Sequence, residues 1–61
     1  MRKIKLIGEN YDVLLEEGKK VVTIINIGKD GVAFGKNFRM WKSFEYVVEY
    51  YKGYDFVEET K

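Results

Sequence analysis

The chain has 61 residues, a formal net charge of +1, and neither Cys nor His. So short a chain predicts one domain over residues 1–61 whose marginal stability calls for a disulfide, a metal or oligomerisation. The lack of Cys excludes the disulfide and any thiolate site, and the lack of His removes the commonest metal ligand. A hard-cation site of Asp and Glu side chains stays possible, but the sequence has no Asp-rich loop of the Ca²⁺-binding kind, so oligomerisation is the expected aid.

The same composition argues against catalysis. Acid–base work would fall to Asp, Glu, Lys or Tyr, and Ser43, Thr23 and Thr60 are too few for a nucleophilic triad. We therefore predict a protein that is not an enzyme and has no cofactor. No apolar run reaches the ~20 residues of a membrane span, so we expect no membrane contact and a cytoplasmic location. The size would suit a phage or mobile-element factor.

The first 34 residues predict four strands joined by hairpin turns. Lysines alternate with Ile4 and Leu6 in the first strand, and the third is dense in β-branched residues. Glycine-containing turns separate the strands, and Asp30-Gly31 suits positive φ. The predicted strands are Arg2–Ile7, Tyr11–Glu16, Val21–Ile27 and Val32–Phe34.

The periodicity changes after Phe34. Apolar residues then recur at steps of three and four, which predicts one buried face of an amphipathic helix from Arg39 to Lys52. Most such stripes are core rather than ligand pocket, and the large indole ring is expected to anchor the helix on the sheet. The stripe consists of Trp41, Phe44, Val47, Val48 and Tyr51.

The ends of this helix have recognisable signals. Asn37 is a candidate N-cap for a helix that begins near Phe38, while Ser43 would cap a shorter one. Gly53 would end the helix, and Tyr54–Glu58 is a candidate last short strand. The predicted fold class is α+β: an antiparallel four- or five-stranded meander sheet packed against one C-terminal helix, in the order β-β-β-β-α.

The third strand is apolar on both faces, although one helix covers only one of them. Val22 and Ile24 point one way, and Val21, Ile25 and Ile27 point the other. A symmetric partner is the simplest cover for the second face, so we expect a homodimer. A barrel-like sheet that encloses this face is the alternative.

Two tyrosines are the candidate protein-binding residues. Tyr46 and Tyr50 are four residues apart on the predicted helix, on the flank away from its apolar stripe. Exposed tyrosines are enriched at interface cores. The alternative is that both rings only cover the edge of the sheet. The leading prediction is a small binding or regulatory protein that acts through protein–protein contacts with an unidentified partner.

A second candidate function, from another class, is single-stranded nucleic-acid binding. Its candidate residues are Lys36, Phe38, Arg39 and Lys42, which flank the expected start of the helix. Such cations track phosphates while rings stack on bases, and a helix N-terminus adds amide donors. Carboxylates farther along the helix would repel a phosphate backbone.

The run Gly31-Val32-Ala33-Phe34, followed by Trp41 on a helix, somewhat resembles the family of single-stranded-DNA-binding transcriptional coactivators. The resemblance implies a β-β-β-β-α fold that dimerises through its helix and binds DNA on its sheets. It covers about a dozen positions, and the chain lacks that family's compact Gly-to-Trp spacing and its basic sheet loops. No binding residue is transferred from it.

Overall fold

The computed structural model describes residues 2–40 and 43–59, which form one antiparallel sheet and one helix. The strand order across the sheet is β4-β3-β2-β1-β5, so the predicted α+β fold with a last short strand is confirmed. The elements are β1 (Lys3–Ile7), β2 (Tyr11–Glu17), β3 (Val22–Gly28), β4 (Ala33–Arg39), α1 (Phe44–Lys52) and β5 (Val57–Glu58).

The turn between β3 and β4 shows why the chain reverses where the sequence predicts. Gly31 has φ of 87°, a left-handed conformation that costs glycine little. The N–H of Gly28 donates to the carbonyl of Val32 (2.9 Å), and the N–H of Gly31 donates to the carbonyl of Gly28 (2.9 Å). The Asp30 carboxylate also accepts a hydrogen bond from the N–H of Val32 (3.1 Å). These bonds close a three-residue hairpin loop.

The core lies between α1 and the first three strands. On β2, Val13 and Leu15 point toward the helix, and Leu15 lies opposite Ile4 on one side and Ile24 on the other. Alternation along each strand brings the matching residues of β1 and β3 to the same face. The buried apolar set is Leu6, Val13, Leu15, Val22, Ile24, Phe44, Val47 and Val48.

The helix is shorter than the predicted span from Arg39 to Lys52. It begins at Phe44, and Ser43 is its N-cap, because the N–H of Tyr46 donates to Ser43 Oγ (3.1 Å). Asn37, the other candidate cap, lies on β4 opposite Ile24. The fourth strand correspondingly continues past the predicted end at Phe34 as far as Arg39.

The predicted helix stripe is largely confirmed. Phe44, Val47 and Val48 are buried, and Tyr51 packs against the core while remaining partly exposed. Trp41 lies outside the described residues. Gly53 ends the helix as predicted, but in a right-handed conformation (φ −65°), and Asp55 (φ 69°) makes the left-handed turn that follows.

The sheet is open, so the barrel alternative is wrong for the described residues. β4 and β5 occupy opposite edges, and no ladder joins them. The face opposite α1, here called the uncovered face, has Leu14 and Ile25 as neighbours at its centre. Ile7, next to Asp12, and Ile27 share this face. The apolar second face predicted from the sequence is therefore present, with no described element over it.

Arg2, the residue before β1, is the centre of a group of ion pairs. The Arg2 guanidinium contacts both Glu17 on β2 and Glu45 on α1, and it lies 4.7 Å from the centre of the Phe44 ring. These contacts join the start of β1 to the start of the helix. The hydrogen bonds from Arg2 lower the pKa values of both carboxyls.

Asp12 is the buried charged residue of the described chain, with 8% of its surface exposed. Lys29 Nζ donates to its Oδ1 at 2.6 Å, and the N–H of Gly8 donates to the same oxygen at 3.4 Å. The carboxylate therefore ties two neighbouring turns together. The hydrogen bond from Lys29 is the main reason that the pKa of Asp12 lies below its ordinary value.

Candidate binding groove

A groove runs between α1 and β4. It contains two adjacent cavities of about 190 and 360 Å³, which share Arg39, Tyr50 and Tyr51. The smaller cavity is also lined by Ile24, Tyr46 and Val47, and the larger one by Tyr11, Tyr54 and Phe56. We call this feature the α1–β4 groove.

The groove exists because β4 presents little bulk to the helix. Pairing with β3 places three residues of β4 on the helix side: Gly35 opposite Asn26, Asn37 opposite Ile24, and Arg39 opposite Val22. None of the three supplies a compact apolar side chain, so α1 packs against the neighbouring strands and leaves a gap beside β4. The absence of an apolar pattern on β4 is thus the sequence feature behind the groove.

The helix side of the groove is a wall of tyrosines. Tyr46 and Tyr50, the predicted protein-binding pair, are 51% and 46% exposed and line the same cavity. Tyr50 packs edge-on against Tyr51 (ring centres 5.4 Å apart) and also contacts Tyr54 (5.2 Å). Contacts with neighbouring rings hold Tyr50 in place, which lowers the entropy that it would lose on binding.

Sequence reasoning missed Tyr51 and Tyr54 as groove residues. Tyr54 continues the four-residue spacing of Tyr46 and Tyr50, so the spacing carried a signal that extends beyond the pair. The sequence predicts Tyr51 as a core residue, and Tyr51 does contact the Phe56 ring at 5.3 Å while also lining both cavities. The floor of the groove is therefore continuous with the hydrophobic core.

Arg39 is the one charged residue among those that line the two cavities. Burial raises the pKa of the Tyr51 hydroxyl, and the positive charge of Arg39 acts in the opposite direction. The groove is thus apolar and aromatic along its length with a single cation at one wall. Such a surface suits a ligand with an apolar group beside an acceptor or an anion.

The outer edge of β4 borders this groove and pairs with no strand in the part of the chain that the structure describes. The strand is seven residues long, and all of its residues except Gly35 are exposed. Two of them are large: Phe34 is 61% and Phe38 is 58% exposed. An edge strand presents a row of free N–H and C=O groups that can pair with another extended chain. The edge at β5, in contrast, has only two residues.

The residues predicted to bind nucleic acid do not form one cluster. Lys36 and Phe38 lie opposite Ile25 and Thr23, on the uncovered face, with Lys36 Nζ 5.8 Å from the centre of the Phe38 ring. Arg39 points into the groove on the other face. All three are on a strand, so the predicted placement beside the start of a helix is wrong for them. Lys42 lies outside the described residues.

The uncovered face has an apolar centre and a charged margin. Lys3 pairs with Glu16 (3.6 Å), and Lys5 pairs with Glu59 (3.9 Å). These strand lysines are therefore already matched by carboxylates. Lys36 has no carboxylate within 4.0 Å in the part of the chain that the structure describes.

Residues 2–40 and 43–59 contain neither a metal-binding cluster nor a membrane-spanning helix. No three acidic side chains there come together as metal ligands would. No helix in the same ranges has the length and apolar character to cross a bilayer. Comparison with protein-family models, with curated proteins and with solved structures finds no match. The groove and the two faces of the sheet are therefore the basis for any functional proposal.

Proposed function

We propose that this protein is a small, non-enzymatic binding protein that recognises an extended segment of another protein. The segment adds to β4 as a further strand, and the side chains that face the helix enter the α1–β4 groove. The observation that carries the proposal is the position of a seven-residue unpaired edge strand beside a tyrosine-walled groove. Backbone pairing supplies affinity in this mode of binding, and the groove supplies selectivity.

The tyrosines are the residues on which binding should depend most. Interface hot spots are enriched in Tyr, Trp and Arg and cluster where a groove excludes water. Tyr46 and Tyr50 stand half-exposed over a floor made by Ile24 and Val47. A bound segment would cover the exposed half of each ring.

Selection from a library of random ten-residue peptides on the immobilised protein tests this proposal. The selected peptides should bind wild type and lose roughly 30-fold or more in affinity to a Tyr46→Ala/Tyr50→Ala variant, since hot-spot tyrosines contribute ~2 kcal/mol or more. Val57→Ala is the matched control, because Val57 is 65% exposed on the opposite edge of the sheet. Equal losses in both variants, or no selected peptide, would contradict the proposal.

Strand addition itself needs a separate measurement. Selected peptides are resynthesised with N-methyl groups at alternate positions, which remove the donors for one edge of the added strand. One of the two methylation patterns should abolish binding while the other retains it, because a strand pairs through alternate residues. Unchanged binding of both forms would leave side-chain contacts as the only mode of binding and refute the added strand.

The homodimer is the second part of the proposal, and the uncovered face supports it. Two copies that meet through this face would place Leu14 and Ile25 in contact with their counterparts, while the flanking lysines at positions 3 and 5 are already neutralised by Glu16 and Glu59. These ion pairs lower the like-charge repulsion between two copies that meet through this face, and Lys36, which has no described carboxylate partner, lies at its β4 margin.

The size of the face predicts the strength of the dimer. Five strands about 4.8 Å apart, which average about 5.6 residues of about 3.3 Å each, outline roughly 440 Å². That is about half of the ~800 Å² that each partner contributes to a standard interface. We expect a weak dimer whose light-scattering mass rises with concentration from the 7.2 kDa of one chain toward twice that value. A constant monomer mass across the whole range would refute it.

Single-stranded nucleic acid remains the alternative, and the contact between Lys36 and Phe38 favours it. The pair combines an exposed cation with an exposed ring, as a stacked base beside a phosphate requires. Titration with a labelled oligonucleotide at low salt separates the two functions. Salt-sensitive binding that is lost in a Lys36→Ala/Phe38→Ala variant and kept in the double tyrosine variant would replace the peptide proposal.

The expected cytoplasmic location stays a prediction.

A further inference from the structure

Arg39 differs from the other arginine of the described chain in having no carboxylate partner. The Arg2 guanidinium contacts both Glu17 and Glu45. Within residues 2–40 and 43–59, no carboxylate oxygen lies within 4.0 Å of the Arg39 guanidinium, although the side chain lines both cavities of the groove. The smaller cavity is otherwise walled by aliphatic and tyrosine side chains. The cation is thus exposed to the groove, and no hydrogen-bond acceptor among the described residues engages its N–H groups.

The chemistry of a guanidinium defines what would satisfy it. Its planar set of N–H donors matches the two oxygens of a carboxylate, and a bidentate pair adds directionality to the attraction. A ligand that covers the groove excludes water from around this pair, which strengthens the attraction relative to an open surface. The ligand must then bring the anion with it, because a covered and unpaired cation is costly.

The volume beside Arg39 sets the size of the neighbouring group. The cavity of about 190 Å³ corresponds to the volume of about six water molecules, which is room for one apolar side chain. Its floor is Ile24 and Val47, and its walls are tyrosine rings. Residues i and i+2 of an added strand point to the same face and are about 6.6 Å apart. One can therefore enter the cavity while the other reaches Arg39.

Building on the proposed strand addition, we propose that the natural ligand is an acidic peptide segment in which an Asp or Glu pairs with Arg39. An apolar residue two positions away along the same strand face occupies the cavity between Arg39, Tyr46 and Tyr50. The charge of the groove thereby selects among extended segments that β4 could otherwise pair with through backbone bonds alone. Arg39 is the specificity-determining residue of this groove.

The test uses the same random peptide library on three versions of the full chain: wild type, Arg39→Gln and Arg39→Glu. Wild type should enrich Asp or Glu two positions from an apolar residue, relative to the starting library, and Arg39→Glu should enrich Lys or Arg at that position instead. A selected acidic peptide should bind Arg39→Gln at least about tenfold more weakly than wild type. Replacing its acidic residue by the amide should weaken binding to wild type equally and have little effect on Arg39→Gln.

Lys36→Gln is the matched control, since Lys36 is a cation of the same strand on the opposite face. Its affinity for the acidic peptide should stay within about twofold of wild type. An equal loss in Lys36→Gln and Arg39→Gln would reduce the effect to general charge attraction and overturn the inference. Selected peptides without an acidic preference would overturn it too, while leaving strand addition intact. Failure to select any peptide would instead refute the proposed function itself.

Discussion

Two adjacent leucines on β2 provide the sharpest test of the open sheet. Leu15 is fully buried between Ile4 and Ile24 under α1, whereas Leu14 is partly buried on the uncovered face beside Ile25. Both residues are leucines on β2, and both have β1 and β3 as neighbouring strands. Replacing each by alanine therefore compares the two faces of the sheet with secondary-structure propensity held constant.

The expected costs differ because only one substitution leaves a closed cavity. Leu15→Ala removes a side chain enclosed on all sides, so both the transfer and cavity terms apply, and we expect a loss of about 3–4 kcal/mol in the free energy of unfolding. Leu14→Ala opens a dent that water can fill, so the transfer term dominates, at about 1–2 kcal/mol. A 61-residue domain has roughly 3–9 kcal/mol in total, so Leu15→Ala is near the limit of folding.

Urea denaturation followed by circular dichroism measures both variants. We expect the Leu14→Ala cost to increase when the protein concentration is raised about a hundredfold, because wild type then gains stability from the dimer and the variant gains less. The Leu15→Ala cost should change little with concentration. Equal costs for the two variants at every concentration would show that both faces of the sheet are equally enclosed, which would refute the open sheet.

Three further predictions follow from local geometry. Ser43→Ala should lower the melting temperature through a loss of about 1 kcal/mol, because the N–H of Tyr46 loses its acceptor, while Ser43→Asp should keep most of the stability. Gly31→Ala should cost about 1–2 kcal/mol by urea denaturation through its φ of 87° alone, since no atom lies within 4 Å of an added Cβ, and a neutral effect would contradict this turn geometry. Because the pKa of Asp12 is lower in the folded state, its ionised carboxylate stabilises the fold above the unfolded pKa near 4, and this stability is lost as pH falls through the folded pKa. Lys29→Gln removes the main cause of the low pKa, so its acid titration should show a smaller loss of stability over that range than wild type. Identical acid profiles would show that Lys29 is not the cause.

The sequence predicts the strands whose side chains alternate into the core. Leu6, Val13 and Leu15 mark β1 and β2, and the buried residues of α1 recur at helical spacing. The sequence predicts an end of β4 at Phe34 because the later residues, which are all exposed except Gly35, form no buried face, and Gly35 and Asn37 favour turns or caps in isolation. Pairing with β3 overrides that local preference, as is common for edge strands.

The candidate site was predicted in pieces that the sequence could not assemble. Their spacing indicates Tyr46 and Tyr50, and its charge indicates Arg39, but the sequence predicts the tyrosine pair for protein binding and the arginine for nucleic-acid binding. Only the register between β3 and β4 shows that Arg39 faces the tyrosines while Lys36 and Phe38 face away. A slip of one residue in this register would reverse the assignment, because neighbouring strand residues point to opposite faces.

The placement of β5 next to β1 has a consequence for the order in which the molecule folds and opens. The meander from β1 to β4 forms through hairpins between neighbouring segments, whereas β5 must return across the sheet from the end of α1 to pair with Leu6 and Ile7. We expect pairing between segments so far apart in sequence to form late in folding. The ladder between β5 and β1 is also short, and beside it the N–H of Glu59 donates to the carbonyl of Lys5 at 2.8 Å. In native-state hydrogen exchange, the amides of residues 57–59 should therefore exchange through local opening. The amides of β2 and β3 should exchange only through global unfolding.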